Sequence, residues 1–293
     1  MQLLFWYQYG DKINYVFPKY PGSLYQVLEG ELDDQISHSR PSKYRSALQH
    51  GLWRGMVDLM GALKFFHTPG PDQNVIPLDV IAAHFDLKPA NILVTANGVL
   101  LLTDFGQARI KRHNPLGGSS LTAQSGDENY RPPPTSPSPP LRKPLPSSTL
   151  GLAQDIGLRW TRAYDVWSMA CIMTEVIEYI MHGSAGFKRF REQRFGEDGL
   201  SAAFWMKDSN GGCRLKSAVE LVLYKFEESQ DRYLITVTNL IRTMFSIEPL
   251  QRPLISDCLG ILSEDFPTDD WPLKEDDEVS IAGLGTFPQL RNM

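Results

Sequence analysis

The residues with the clearest chemical content lie in one stretch, His84-Phe85-Asp86-Leu87-Lys88-Pro89-Ala90-Asn91, then Ile92-Leu93-Val94, and then Thr103-Asp104-Phe105-Gly106. A carboxylate (Asp86), a cation (Lys88) and a carboxamide (Asn91) fall within six residues, and a second carboxylate (Asp104) follows on the far side of a short connection. These residue types suit phosphoryl transfer, in which the protein has little covalent chemistry to do and positioning, charge neutralisation and Mg²⁺ dominate. Carboxylate and carboxamide oxygens are the hard ligands Mg²⁺ prefers. The chain between Asn91 and Asp104 must then turn back tightly enough to bring both ends to one spot.

The flanking sequence supplies elements that can do this. Ile92–Val94 and Val99–Thr103 are short apolar runs separated by the turn signal Asn97-Gly98, which predicts a small hairpin, and Val80–Ala83 is a third short apolar run ahead of it. Leu48, Leu52, Met56, Leu59, Met60, Leu63 and Phe66 recur at three- and four-residue spacing, so residues 44 to 67 read as a long helix with one buried stripe. Near the amino terminus, 3 to 9 and 12 to 17 are rich in aromatic and β-branched residues and flank Gly10-Asp11, the pattern of a two-stranded hairpin. Residues 164 to 181 are apolar nearly all round and predict a helix buried on most faces. Helices are also expected over 214 to 228, 232 to 245 and 254 to 263. Residues 132 to 162 read as an exposed proline- and serine-rich loop, and 183 to 212 as a Gly-, Ser- and charge-rich connection.

The string H-x-D-L-K-x-x-N, followed by a hairpin and Asp-Phe-Gly, closely resembles the catalytic loop and metal-binding motif of protein kinases. A lone Asp-Phe-Gly would be weak; the pieces in this order and context are specific. The resemblance implies an α+β, kinase-like fold with a mostly helical large lobe and a small β-hairpin remnant of the amino-terminal lobe. It implies ATP and Mg²⁺ as cofactors. Asp86 becomes the acceptor of the substrate hydroxyl's proton, Lys88 a cation beside the transferring phosphate, Asn91 and Asp104 the Mg²⁺ ligands, and His84 a structural residue. Lysine at the second position after the catalytic aspartate resembles the Ser/Thr-directed branch. Tyr164-Asp165-Val166-Trp167-Ser168 resembles the start of the central large-lobe helix, whose aspartate accepts hydrogen bonds from catalytic-loop amides; taken alone, Asp165 reads equally as a helix N-cap. Gln251-Arg252-Pro253 resembles the late large-lobe arginine motif. Tyr15 to Leu24 resembles the last small-lobe strand running into the hinge, which places backbone groups of Phe17 to Lys19 against adenine. The expected domain is 1–263 (1–17 small-lobe remnant, 18–263 large lobe, 132–162 insertion), followed by the tail 264–293.

Four departures from the family pattern bear on activity. No G-x-G-x-x-G and no lysine in a V-A-I-K context precede the hinge-like segment. Phe85 replaces the arginine that pairs with activation-loop phosphate, so Ser119, Ser120, Thr122 and Ser125 lose their usual means of switching the enzyme on. Asp127 stands where Ser/Thr-directed members carry threonine, a further negative charge facing anionic ATP. Pro134 stands where a glutamate would pair with Arg252, so either another acid serves or that site is open to water. A catalytically silent pseudokinase that binds protein partners is the alternative to a working Ser/Thr kinase.

The 293-residue chain has a formal net charge of -5. Eight acids against one lysine between 264 and 278 make the body nearly neutral and the tail acidic, which excludes a polyanion such as nucleic acid as the expected partner. Cys171, Cys213 and Cys258 show no C-x-x-C spacing, which argues against a disulfide framework or zinc site and for an intracellular setting, cytoplasmic or nuclear. No targeting segment or membrane span is read. Eight of the 21 prolines fall within 132 to 146. That segment reads as a surface insertion or, at Pro137 to Pro140, a polyproline ligand for a partner domain. The remaining partner expected from the resemblance is a protein substrate.

Overall fold

A computed structural model of the chain describes residues 4–32, 51–67, 80–112, 126–134 and 150–265. Leu48, Ser119, Ser120, Thr122, Ser125, Pro137 to Pro140 and the chain beyond 265 lie outside the described residues.

The chain opens with an antiparallel hairpin, β1 (Phe5–Tyr9) and β2 (Lys12–Val16), turning at Gly10, whose φ of 58° suits glycine. Among the described residues it pairs only with itself, and Leu4, Phe5, Trp6, Tyr7, Tyr9, Ile13 and Tyr15 are exposed on its two faces. Next, β3 (Gly22–Ser23) leads into α1 (Leu24–Glu29). This helix starts with a capping box between Ser23 and Gln26 and stops at Gly30 in the left-handed region. Helix α2 (Gly51–His67) buries Leu52, Met56, Leu59, Met60 and Leu63, the stripe expected from the spacing.

Two small sheets carry the segment that bears Asp86, Lys88 and Asn91. β5 (Ile92–Val94) and β6 (Leu100–Leu102) form the expected hairpin, and β3 extends that sheet beside β5. The third apolar run, β4 (Val80–Ala83), pairs instead with β7 (Arg109–Arg112). The strand 109–112 was not expected: an Arg-Ile-Lys-Arg sequence shows little strand patterning, and its β structure comes from the antiparallel pairing with β4.

Helix α3 (Leu150–Asp198) overturns two expectations. Helical backbone begins at Leu150, inside the segment read as a loop; the proline density ends at Pro146, and the good helix formers Leu152, Ala153 and Gln154 follow. The helix also continues through 184–198, read as a connection, after one break at Gly183 (φ 66°, ψ −168°). Beyond the break Phe187, Phe190 and Arg194 are buried while Lys188, Arg189, Glu192 and Phe195 are exposed. A helical face is thus present under the charged residues. A further hairpin in the same stretch, β8 (Trp205–Lys207) and β9 (Cys213–Leu215), was also not expected. Helices α4 (Ser217–Glu227), α5 (Arg232–Met244) and α6 (Ile255–Asp265) lie where the periodicity puts them.

The core forms around the middle of α3. Val166, Trp167, Met169 through Met173, Val176 and Ile177 are sealed from solvent. Trp167 meets the Phe245 ring edge-on at 5.0 Å, and Phe245 stacks on Phe204 at 5.6 Å. The result is an α+β fold, mostly helical, with short strands serving the site. The three cysteines are free thiols, and among the described residues no helix is long and apolar enough to cross a membrane.

The Gly183 geometry lies in a region of backbone space that essentially only glycine enters. Replacing Gly183 with alanine is expected to destabilise the fold by about 1–3 kcal/mol in chemical denaturation, despite alanine's higher helix propensity.

Candidate active site

The site is assembled on a buried carboxylate. Asp165, fully buried in α3, accepts hydrogen bonds from the backbone N–H groups of His84 (2.8 Å, Oδ2) and Phe85 (2.9 Å, Oδ1). His67, the last residue of α2, donates Nε2–H to Oδ2 at 2.8 Å. These donors satisfy a charge that would be costly to bury alone. Phe85 adopts φ 61°, an uncommon value for a bulky residue, and the Asp165 bond holds it there. The His84 ring accepts the Asp86 N–H at Nδ1 (3.3 Å) and faces the Thr103 carbonyl with Nε2 (3.0 Å). This network assigns the neutral, Nε2-protonated tautomer. His84 thereby ties the segment bearing Asp86 to the strand leading into Asp104.

Asp86 is 8% exposed and held in one orientation from three directions. Asn91 Nδ2 donates to its carbonyl (2.9 Å) and to Oδ2 (2.8 Å), Lys88 Nζ stands 3.0 Å from Oδ2, and the Asp127 N–H donates to Oδ1 at 3.0 Å. The Asn91 nitrogen is thus committed to Asp86, leaving its Oδ1 as an acceptor. The hairpin register places Asp104 next to it: Thr103 N–H donates to the Asn91 carbonyl at 3.0 Å, and Asp104 is the following residue. Asp104 is exposed, sits in the left-handed region (φ 57°) and accepts from Gly106 N–H at 3.2 Å. The Phe105 ring lies 5.0 Å from His84 and 5.5 Å from Phe66. Asn91 and Asp104 offer oxygen donors of the type Mg²⁺ requires. Phe17 and Lys19 are exposed, and among the described residues no hydrogen bond ties either of them to the Asp86 cluster.

The segment 126–134 closes the site from the other side. Gly126 (φ 126°) passes so close that an added Cβ would lie 2.4 Å from the Tyr164 hydroxyl and 2.7 Å from the Phe85 carbonyl. Phe85 is buried edge-on against Tyr164 at 5.1 Å; burial of Tyr164, with Asp165 nearby, pushes its hydroxyl pKa up. Tyr130 is anchored in the core: its OH donates to Glu175 Oε2 (2.9 Å), and Ser168 Oγ donates to its carbonyl (2.8 Å). Glu175 is fully buried and pairs with Arg194 at 2.5 Å, while the Arg194 guanidinium lies 4.2 Å from the Phe190 ring and 4.0 Å from the Phe204 ring.

Arg252 corrects the expectation that it either finds another acid or is open to water. It is 3% exposed and donates to the carbonyls of Ser246 (2.8 Å), Ala163 (2.9 Å) and Ile247 (3.2 Å), over the face of Trp167 at 5.0 Å. Burial brings its pKa down to about 10. Backbone acceptors replace the glutamate that Pro134 lacks.

His67, Asn129, Tyr130, Glu175, Arg194 and Lys216 were not singled out from sequence. Two left a signal: His67 falls four residues after Leu63 on the buried stripe of α2, and Glu175 is a charged residue in the middle of a helix that is apolar nearly all round. A polar residue at a core-facing position calls for a buried partner.

A profile of the protein kinase domain matches residues 24–260, so the chain belongs to the protein kinase family. It is 27% identical over 176 residues to cyclin-dependent kinase 20 of Rattus norvegicus, which is 58% of this chain and 40% of that protein. Over 156 residues it is 29% identical to the mitogen-activated protein kinase HOG1 of Wallemia muriae, covering 52% of this chain and 40% of that one. Similarity to the mitosis inhibitor protein kinase SWE1 of Saccharomyces cerevisiae is 32% over 116 residues, or 38% of this chain and 12% of that protein. The chain thus spans well under half the length of these curated relatives.

Two substitutions test the scaffold. Asp165→Ala leaves two buried backbone N–H groups without an acceptor and is expected to cost about 3 kcal/mol or more, read as a lowered denaturation midpoint. Gly126→Ala meets the Phe85 backbone and a positive φ together, and is expected to lower the melting temperature where the conservative Tyr164→Phe lowers it less.

Proposed function

We propose that the chain, through a domain over residues 1–263, transfers the γ-phosphoryl group of ATP to serine or threonine hydroxyls of proteins. The observation that supports this best is the arrangement around Asp86: a carboxylate fixed by donors from Asn91 and Asp127, with the Lys88 ammonium 3.0 Å away. Asp86 is assigned to take the acceptor hydroxyl's proton as that oxygen bonds to the γ-phosphorus and ADP departs. Lys88 sits where it can offset negative charge on the phosphoryl group. Asn91 Oδ1 and the Asp104 carboxylate are assigned to Mg²⁺, which when bound neutralises the nucleotide's phosphates. Backbone groups at Phe17 to Lys19 are assigned to adenine. His84, Asp165 and Arg252 support this set without touching substrate. Lys88, at the second position after Asp86, supports the Ser/Thr direction.

A second reading, protein-partner binding without catalysis, is favoured by the packing of Phe85 on Tyr164, the extra carboxylate at Asp127 and the exposed aromatic hairpin. One set of measurements separates the two. A kinase shows a Mg-ATP-dependent rise in melting temperature that Asp104→Asn abolishes. Its phosphate transfer to an acceptor protein falls about 10²- to 10⁴-fold in Asp86→Asn while the nucleotide-dependent rise persists. No rise and no transfer in the unsubstituted chain would leave the partner-binding reading standing.

A further inference from the structure

Three charges meet at one point of the candidate site. Lys88 Nζ stands 3.0 Å from Asp86 Oδ2 and 3.7 Å from Asp127 Oδ2. One ammonium between two carboxylates leaves a negative charge uncompensated, which a hydroxyl-bearing side chain at 127 would not. The lysine head group is a compact point charge, so attraction spent on one anion is withheld from another.

Asp127 is not free to swing out of the way. Its backbone N–H donates to Asp86 Oδ1 (3.0 Å), and its Oδ1 accepts both the Asn129 N–H (3.0 Å) and the Asn129 side-chain Nδ2 (3.0 Å). Asn129 is held from its other end, where Oδ1 accepts the Ala202 N–H at 3.0 Å, and the Ala202 carbonyl accepts from the buried Arg194 (Nε, 2.9 Å). With Oδ1 fixed in this way, Oδ2 stays turned to Lys88. The Lys88 and Asp127 side chains are both partly exposed, so an anion arriving from solvent can reach the ammonium and compete for it.

A phosphoryl group entering beside Lys88 meets this arrangement twice. It shares the ammonium with Asp127, and its own negative charge lies near the Asp127 carboxylate. A nucleoside diphosphate lacks the group assigned to Lys88 and escapes both effects. The Mg²⁺ ligands assigned above, Asn91 and Asp104, serve either nucleotide.

We propose that Asp127 is a specificity-determining residue of the nucleotide site: it competes with the γ-phosphate for Lys88, so that this chain holds Mg-ADP in preference to Mg-ATP. This rests on the proposed placement of the γ-phosphoryl group beside Lys88. A neutral residue at 127 removes the preference and leaves the Mg²⁺ ligands as they are.

The test reads binding and needs no turnover. The full chain, Asp127→Asn and Asp127→Thr are titrated in a calorimeter with Mg-ADP and with the Mg²⁺ complex of the β,γ-imido analogue of ATP, at low and at high salt. Asp127→Asn keeps an oxygen for Asn129 and the backbone N–H for Asp86, while Asp127→Thr supplies a hydroxyl, so a folding defect in one variant leaves the other to decide. The unsubstituted chain is expected to bind Mg-ADP more tightly than the analogue. Both substitutions are expected to raise affinity for the analogue about 10-fold and to leave that for Mg-ADP unchanged, with a smaller gain at high salt because the charges are partly exposed. An equal gain for both nucleotides, or no gain for the analogue, overturns the proposal and leaves the nucleotide site standing. Binding of neither nucleotide by any of the three proteins refutes the kinase reading, and the proposal with it.

Discussion

The structure depends first on the Asp165 carboxylate, a charge with no solvent exposure in the helix that forms the core. A buried carboxylate is tolerated only when donors surround it, and here the donors come from two other parts of the chain. His67 brings the end of α2, and the amides of His84 and Phe85 bring the segment that follows β4. Meeting the electrostatic requirement of one side chain thus fixes the relation of α3, α2 and the segment bearing Asp86, Lys88 and Asn91. The unusual backbone at Phe85 costs about 1–3 kcal/mol and persists because the same carboxylate holds it.

A second buried ionic group lies ten residues further along the same helix, about 15 Å up its axis. Glu175 pairs with Arg194 and accepts from Tyr130, and Lys216 caps the carbonyls beside them. Burial, with Glu175 adjacent, pushes the Tyr130 hydroxyl pKa well up, so it remains a donor throughout the ordinary pH range. Asp165 organises the segment bearing Asp86, Lys88 and Asn91, and Glu175 organises the segment that closes over it. The helix between them is apolar and tightly packed, so the two organising points are set at a fixed separation. The bond from Asp127 N–H to Asp86 joins the two assemblies.

How much of this was legible in the sequence followed the range of the interactions. Asp86, Lys88, Asn91 and Asp104 stand in a short ordered string whose chemistry needs those residue types at that spacing, and the Asn97-Gly98 turn fixes their hairpin locally. Helices α2, α4, α5 and α6 show their periods directly. The distal half of α3 did not, because Lys188, Arg189 and Glu192 stand between Phe187, Phe190 and Arg194 and mask their spacing. Strand β7 is charged and takes its form from β4, a partner 26 or more residues earlier in the register. The partners of Glu175 and Arg252 are set by tertiary packing alone, which no local pattern carries.

The departures from the family pattern share one physical character. At 85, a residue that would carry charge is replaced by a ring packed edge-on against Tyr164, an attraction that needs no counter-ion. At 252, a guanidinium that would face a carboxylate is held by three carbonyls and the face of Trp167. At 127, a carboxylate takes the place of a hydroxyl, and an asparagine placed two residues on supplies both of its Oδ1 donors. The charge added at 127 is held by local donors and by Lys88, while at 85 and 252 the charge pair expected from the family gives way to short-range neutral or backbone contacts. Such contacts depend on geometry more than on ionic strength or on a modifying phosphate. Segment 126–134 is therefore held in place by its own packing and hydrogen bonds, with Gly126 threaded between Phe85 and Tyr164 where no larger residue fits.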